Sequence, residues 1–180
     1  MEKEKILAGL QSKIWFLHDE KNFNELTRMA SNLFLELGFE KKKSIVAGEC
    51  VSKSYFLYDK AGEEDKKGNI KRREYYFKKM LEYQIKTRKI LNEDIRTAYL
   101  ENKWWICFHY RKYLKQFPYM LRQQMIKYDG YNPLLPLQAV YYLIKAGLEG
   151  HNKRDIHIAE KYLENYWRIV LLHMKDKIQY

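Results

Sequence analysis

The sequence predicts an all-α fold, a single-domain helical bundle of about seven or eight helices over residues 1–180. Apolar residues recur at three- and four-residue intervals in one segment after another, as they do on the buried side of a helix. Eight Gly and three Pro leave few positions that would break a helix. No segment alternates apolar and polar residues for long enough to predict a strand. The apolar content of 46% is sufficient for one core.

Two helices are predicted before residue 38. The segment 2–17 carries one apolar stripe, formed by Ile6, Leu7, Leu10, Ile14 and Leu17. Asn22 and Glu25 have the spacing of a capping pair and predict that a second helix spans 23–37. Gly38 follows this helix, at the position where a glycine favours helix termination.

The third helix is expected to begin at Ser44, after a basic turn formed by residues 41–43, which are all lysine. Its predicted buried side consists of Ile45, Ala47, Val51, Tyr55 and Tyr58. The segment 59–69, with the sequence DKAGEEDKKGN, has two Gly, dense charge of both signs and almost no apolar residue. This composition predicts a mobile charged loop.

A basic helix is predicted over residues 70–91. Residues 70–128 contain 15 Lys and Arg against 5 Asp and Glu, so they carry +10 of the chain's formal net charge of +11. On a helical projection, basic residues occupy one arc of 70–91 and apolar residues, including Ile70, occupy the other. The residues of the basic arc are Lys71, Arg72, Tyr75, Lys78, Lys79, Lys86 and Lys89.

A fifth helix is predicted from a cap at Asn92 to about residue 117, where Pro118 follows. Its predicted core arc includes Ile95, Ala98, Tyr99, Trp105, Ile106, His109, Tyr113 and Phe117. Its basic arc consists of Arg96, Lys103, Arg111 and Lys115. Trp104 and Phe108 lie among these basic residues; they are either an exposed stacking pair or, as we prefer, packed against another helix.

The remaining helices are predicted from turn signals. A short helix over 119–127 ends at Asp129 and Gly130, and another spans 137–148. Asn152, with Asp155 three positions later, is predicted to cap the last helix.

Few catalytic motifs are present. There is no phosphate-binding glycine loop, nucleophile elbow or HExxH motif. The polar face formed by His157, Glu160 and Glu164 is expected to be solvated and not to bind metal, so neither a metal nor a cofactor is predicted. Arg168 and His173 have the Arg-x4-His spacing of helical RNA-cleaving domains of the HEPN type, although Ile169 stands where that family usually has a polar residue. This six-residue resemblance implies ribonuclease activity with His173 as the acid–base group.

Localised basic charge interleaved with tyrosine favours a non-enzymatic, nucleic-acid-associated protein that binds the phosphate backbone with little sequence specificity. It would package nucleic acid or act with other protein subunits of a nucleoprotein complex. A protein–protein adaptor with a basic groove for an acidic partner is the alternative, and peripheral membrane binding ranks last. Cys50 and Cys107 form no CxxC motif, and no secretory leader or long apolar segment is evident, so a cytoplasmic location is expected.

Overall fold

The computed structural model of the chain describes residues 3–110 and 137–178. They form seven α-helices, α1 (Lys3–Asp19), α2 (Phe23–Glu36), α3 (Lys41–Lys66), α4 (Ile70–Ile90), α5 (Arg96–Tyr110), α6 (Leu137–Lys145) and α7 (Ile156–Ile178). A π-helical turn, Ala146–Gly150, and a 3-10 turn, His151–Lys153, separate α6 from α7. No residue of the described ranges is in a strand, so the predicted all-α class is confirmed. The helix predicted over 119–127 lies outside the described residues.

The helices form two compact units, one with α2 to α5 and the other with α1, α6 and α7. Each unit has its own internal contacts and is described by itself. The predicted single domain stays a prediction.

The first unit is built on an antiparallel pair, α3 and α4. Ala61 of α3 and Phe77 and Met80 of α4 form a buried cluster, and Trp105 of α5 packs against it. The Trp105 ring lies 4.1 Å from the ring of Tyr55, measured between centroids. Burial of these apolar groups is the main favourable term holding the three helices together.

Helix α3 is longer at both ends than the sequence predicted. Residues 41–43 form its first turn instead of a loop, and residues 59–66 are helical instead of belonging to a charged loop. The charges that suggested a loop are used within the helix, because Lys60 pairs with Glu63 at 2.8 Å one turn away. Ala61 is fully buried, so tertiary packing overrides the loop-like composition of the segment.

The turn between α3 and α4 is confined to residues 67–69 and is organised by Glu64. Gly68 has a positive φ of 72°, and the amide of Asn69 donates to the carbonyl of Glu64 at 2.9 Å, a Schellman arrangement. The Glu64 carboxylate accepts hydrogen bonds from the Lys67 ammonium at 2.8 Å and from the side-chain amide of Asn69 at 3.0 Å. The Asn69 side chain caps α4 by accepting from the Arg72 amide at 3.3 Å.

Helix ends differ from the predictions at two places. Asn92, predicted to cap α5, has a positive φ of 57° and instead terminates α4, while the carboxylate of Asp94 accepts from the Arg96 amide at 2.9 Å. Asn152, predicted to cap the last helix, lies in the 3-10 turn, and Asp155 caps α7 through the amide of Ile158 at 3.0 Å. An asparagine can cap the start of a helix with its side chain, or adopt the left-handed conformation that ends a helix. The sequence alone therefore does not show which of the two roles it has.

Four apolar residues assigned to core arcs are exposed: Ile45, Ile70, Ile95 and Tyr99. Ile45 is the fifth residue of α3, Ile70 is the first residue of α4, and Ile95 directly precedes α5. Tyr99 is exposed although Ala98, next to it in α5, is fully buried. Periodicity predicts which face of a helix is apolar, but the neighbouring helices decide how much of that face they cover.

The second unit packs α1 and α6 against α7. Its core includes Leu7, Val140, Ala159 and Leu163, each at most 1% exposed. No helix of the described ranges is long and apolar enough to cross a bilayer.

The α2–α3 crossing depends on Gly48. A Cβ atom at this position would lie 2.2 Å from the Ser31 Oγ and 2.9 Å from both the Ser31 nitrogen and the Thr27 oxygen. We therefore expect Gly48→Ala to lower the free energy of unfolding by about 1–3 kcal/mol through overpacking, as measured by urea denaturation. Gly9→Ala is the control, because a Cβ atom there would lie 3.9 Å from the Glu160 Oε1, at ordinary contact distance. A Gly48→Ala variant as stable as the wild type would contradict this account.

The hydrogen bonds of the Glu64 carboxylate in the turn between α3 and α4 predict that stability depends on pH. The hydrogen bond from Lys67 lowers the pKa of the Glu64 carboxyl, with Arg72 and Asn69 acting in the same direction against burial. A lowered pKa in the folded state means that Glu64 stabilises the fold above the unfolded-state pKa, and that this contribution is lost as the pH falls through the folded-state value.

Glu64→Gln should therefore be less stable than the wild type at pH 6, and the difference should shrink towards pH 3. Chemical denaturation over that pH range would measure both effects. Glu49→Gln, on the exposed side of α3, is the control, with an expected change below about 0.5 kcal/mol. A difference between Glu64→Gln and wild type that does not vary with pH would be the contrary result.

Candidate nucleic-acid interface

Helix α4 has a buried side and a cationic side. Its buried residues are Phe77, Met80, Gln84 and Thr87, each at most 3% exposed. The cationic face lies on the opposite side and comprises Lys71, Arg72, Tyr75, Lys78, Lys79, Lys86 and Lys89. Because packing on α3 and α5 orients the buried side inwards, the cationic face points away from the core.

Four lysines of the cationic face are exposed and form no ion pair in the described ranges. They are Lys71, Lys78, Lys86 and Lys89. Lys86 and Lys89 are one helical turn apart, so two like charges adjoin each other there. Such an arrangement destabilises an isolated helix slightly and is relieved when an anion binds.

Two further basic groups of the cationic face have acidic neighbours. Lys79 donates to Glu82 at 2.8 Å, and this hydrogen bond raises the pKa of the Lys79 ammonium. The Arg72 guanidinium lies 4.0 Å from the Glu64 carboxylate and is 67% exposed. Both groups remain at the surface, where an ion pair contributes little and can be exchanged for an external anion.

The other two arginines of α4 belong to the internal structure. Arg73 is held by Asp65 and Glu74, each at 2.7 Å. Arg88 bridges Glu93 and Glu101 and thereby connects α4 to α5. Burial alone would lower the pKa of Arg88, but the two carboxylates raise it above its usual value, so the guanidinium stays charged.

The described basic residues of α5 have different surroundings from the four unpaired lysines of α4. Asn102 of α5 donates to the Gln84 side chain at 3.0 Å, so it lies at the interface between the helices. Lys103, the next residue, is partly buried, and Arg96 is paired with Asp94. Neither residue is therefore both exposed and without a carboxylate partner.

Two residues of the predicted basic arc of α5, Arg111 and Lys115, lie outside the described residues. Trp104 is partly buried, and the side chain of Phe108 is not among those described.

Helix α3 adds a basic residue that sequence reasoning missed. The Lys53 ammonium lies 5.5 Å from the centroid of the Tyr83 ring, at the edge of α4 that meets α3. Burial raises the pKa of the Cys50 thiol, while the charges of Lys86 and Lys53 act in the opposite direction. Lys53 of α3 and Tyr83 of α4 are neighbours across the two helices. The α3–α4 register that brings them together is not visible in either helix alone.

The polar residues considered for metal binding or catalysis either do not converge on one site or lie outside the described side chains. His157 is 90% exposed and lies 4.0 Å from Glu160, which accepts a hydrogen bond from Ser12 instead. In the described ranges, no three His, Cys, Asp or Glu side chains converge on one point. Arg168 pairs with Glu164 at 3.2 Å, and the side chain of His173 is not described, so the HEPN-like motif stays a prediction.

Comparison with known proteins returned no significant match to a family model, a curated protein or a solved structure. The function is therefore argued from the residues and their arrangement.

Arg88 and Lys89 are adjacent basic residues with opposite roles, which predicts different mutational effects. Arg88→Met would leave two carboxylates without their shared cation, and we expect the free energy of unfolding to fall by about 2–3 kcal/mol. Lys89→Met is the matched control, since Lys89 is exposed, and its effect should stay within about 0.5 kcal/mol. Thermal and urea unfolding of both variants would measure the difference. Equal stabilities would mean that Arg88 is not a structural cation.

Proposed function

We propose that this protein is a non-enzymatic, nucleic-acid-associated helical protein that binds the phosphate backbone through the cationic face of α4. The observation that carries the proposal is the group of exposed lysines without a carboxylate partner in the described ranges: Lys71, Lys78, Lys86 and Lys89. Lys53 supplements this group from α3. We place this activity in the cytoplasm, where a reduced thiol such as that of Cys50 persists.

Phosphate is the ligand class that suits this surface best. Lysine ammonium groups act as point charges with three donors each and do not require a fixed planar partner. Releasing condensed counterions from a nucleic acid makes each such contact favourable at low salt, whatever the base sequence. None of the described helices belongs to a recognised motif that reads base edges in a DNA groove. We therefore propose that the binding has little sequence specificity.

This proposal predicts the effect of reversing three charges. Lys78→Glu, Lys79→Glu and Lys86→Glu together should abolish binding to labelled nucleic acid in fluorescence anisotropy without changing the helix content in circular dichroism. The control reverses three exposed lysines of the other unit, Lys3, Lys13 and Lys161, and so makes the same change in net charge. We expect the control to retain most of the affinity, because only the local arrangement is different.

The salt dependence provides the second readout of the same experiment. With about four to six phosphate contacts, the affinity of the wild type should fall by about two to four orders of magnitude between about 50 and 250 mM salt. Unchanged affinity in the α4 triple variant would eliminate this face as the binding surface. Absence of binding by the wild type at low salt would contradict the proposal.

An acidic protein partner is the second candidate, favoured by an exposed aromatic side chain among the basic residues of the cationic face. Tyr75 is 54% exposed, and the Lys79 ammonium lies 6.0 Å from its ring centroid. Aromatic residues next to basic groups are common anchors of protein interfaces. An acidic partner would be supported by a pull-down that depends on the lysines reversed above and that nuclease treatment leaves intact.

A further inference from the structure

Tyr75 lies at the centre of the basic residues of α4. It is 54% exposed, and the positions three and four residues before and after it are all basic. These four helical neighbours are Lys71, Arg72, Lys78 and Lys79. Residues at these spacings adjoin each other on a helix surface, so the tyrosine ring is bordered by cations in both directions along the helix.

The ring is held in place from one side. Tyr76 packs against the buried cluster of α3 and α4, and the ring of Tyr75 meets the ring of Tyr76 edge to face, with 5.5 Å between centroids. The Lys79 ammonium lies 6.0 Å from the Tyr75 centroid. An exposed ring that is already oriented loses little conformational entropy when a planar group stacks on it.

We propose that Tyr75 is a stacking platform for one base of a single-stranded nucleic acid, with the four flanking cations contacting the neighbouring phosphates. This inference rests on the proposed function and specifies its partner. Every base has a π-face, so stacking on tyrosine is tolerant of sequence, in keeping with backbone binding. In a duplex, these faces are covered by adjacent base pairs, so Tyr75 would favour single strands over duplexes.

A second tyrosine of the chain provides a matched control. Tyr141 of α6 is 51% exposed, meets Tyr142 edge to face at 5.4 Å, and has the Lys145 ammonium at 6.0 Å from its centroid. Its local geometry is thus nearly that of Tyr75. Its other helical neighbours at three and four residues are uncharged: Leu137, Gln138 and Ile144. Tyr141 therefore has the ring and the adjacent cation, but not the four flanking cations.

The test uses the full chain and one labelled oligonucleotide of about 20 nucleotides, alone and annealed to its complement, in fluorescence anisotropy at low salt. Tyr75→Ala should weaken single-strand binding by about 5- to 150-fold and duplex binding by less than about twofold. Tyr75→Phe, which keeps the ring, should bind the single strand like the wild type. Tyr141→Ala should leave both affinities unchanged.

The possible results separate this inference from the proposed function. If the wild type binds but Tyr75→Ala binds the single strand equally well, or loses affinity for both forms equally, the stacking site is wrong and backbone binding stands. An equal loss in Tyr141→Ala would also overturn it. If the wild type binds neither form, both proposals fail.

Circular dichroism checks that each variant is folded. If the helix content of Tyr75→Ala is lower than that of the wild type, Tyr75→Leu, which keeps the bulk of the side chain but not the aromatic ring, replaces it.

Discussion

The packing of α3 against α4 is the contact on which the described part of residues 23–110 depends. Ala61, Phe77 and Met80 bury their side chains where the two helices meet, and Trp105 brings α5 to the same cluster. Once this side of α4 is committed to the core, its orientation about its own axis is determined. The lysines on the other side have no position available except the surface, so the hydrophobic contact and the cationic face are two consequences of one helix orientation.

Charge within this unit has two separate uses. Glu64, Arg73 and Arg88 form ion pairs and hydrogen bonds within or between helices, and these pairings favour one particular turn and one helix register. Removing one member would leave the other poorly solvated, which makes such residues structural. The lysines of the cationic face have no comparable role. A net charge counted from sequence includes both groups, so it overstates the charge that a ligand would meet and does not reveal its location.

Tyr75 and Tyr141 illustrate how surroundings, more than local geometry, decide what an exposed aromatic residue offers. Each has an edge-to-face tyrosine neighbour and a lysine one turn later, with distances that agree closely. Such a cation–π pair is a routine feature of helix surfaces and needs no ligand to explain it. The environments differ, because all four neighbours of Tyr75 at three and four residues are basic, whereas Lys145 is the one basic neighbour of Tyr141 at these spacings. Under the proposed function, a polyanion would be attracted more strongly to the first ring than to the second.

The sequence by itself determined the all-α class, the approximate spans of the described helices and the cationic arc of α4, because helical periodicity and local charge are properties of short segments. Gly38 was correctly placed as a helix end, with a positive φ of 97°, for the same reason. Only the tertiary structure decided that residues 59–66 are helical, that Arg88 is internal and that Lys53 lies beside Tyr83. Each of these depends on contacts between residues distant in the chain, and packing between helices can override local composition.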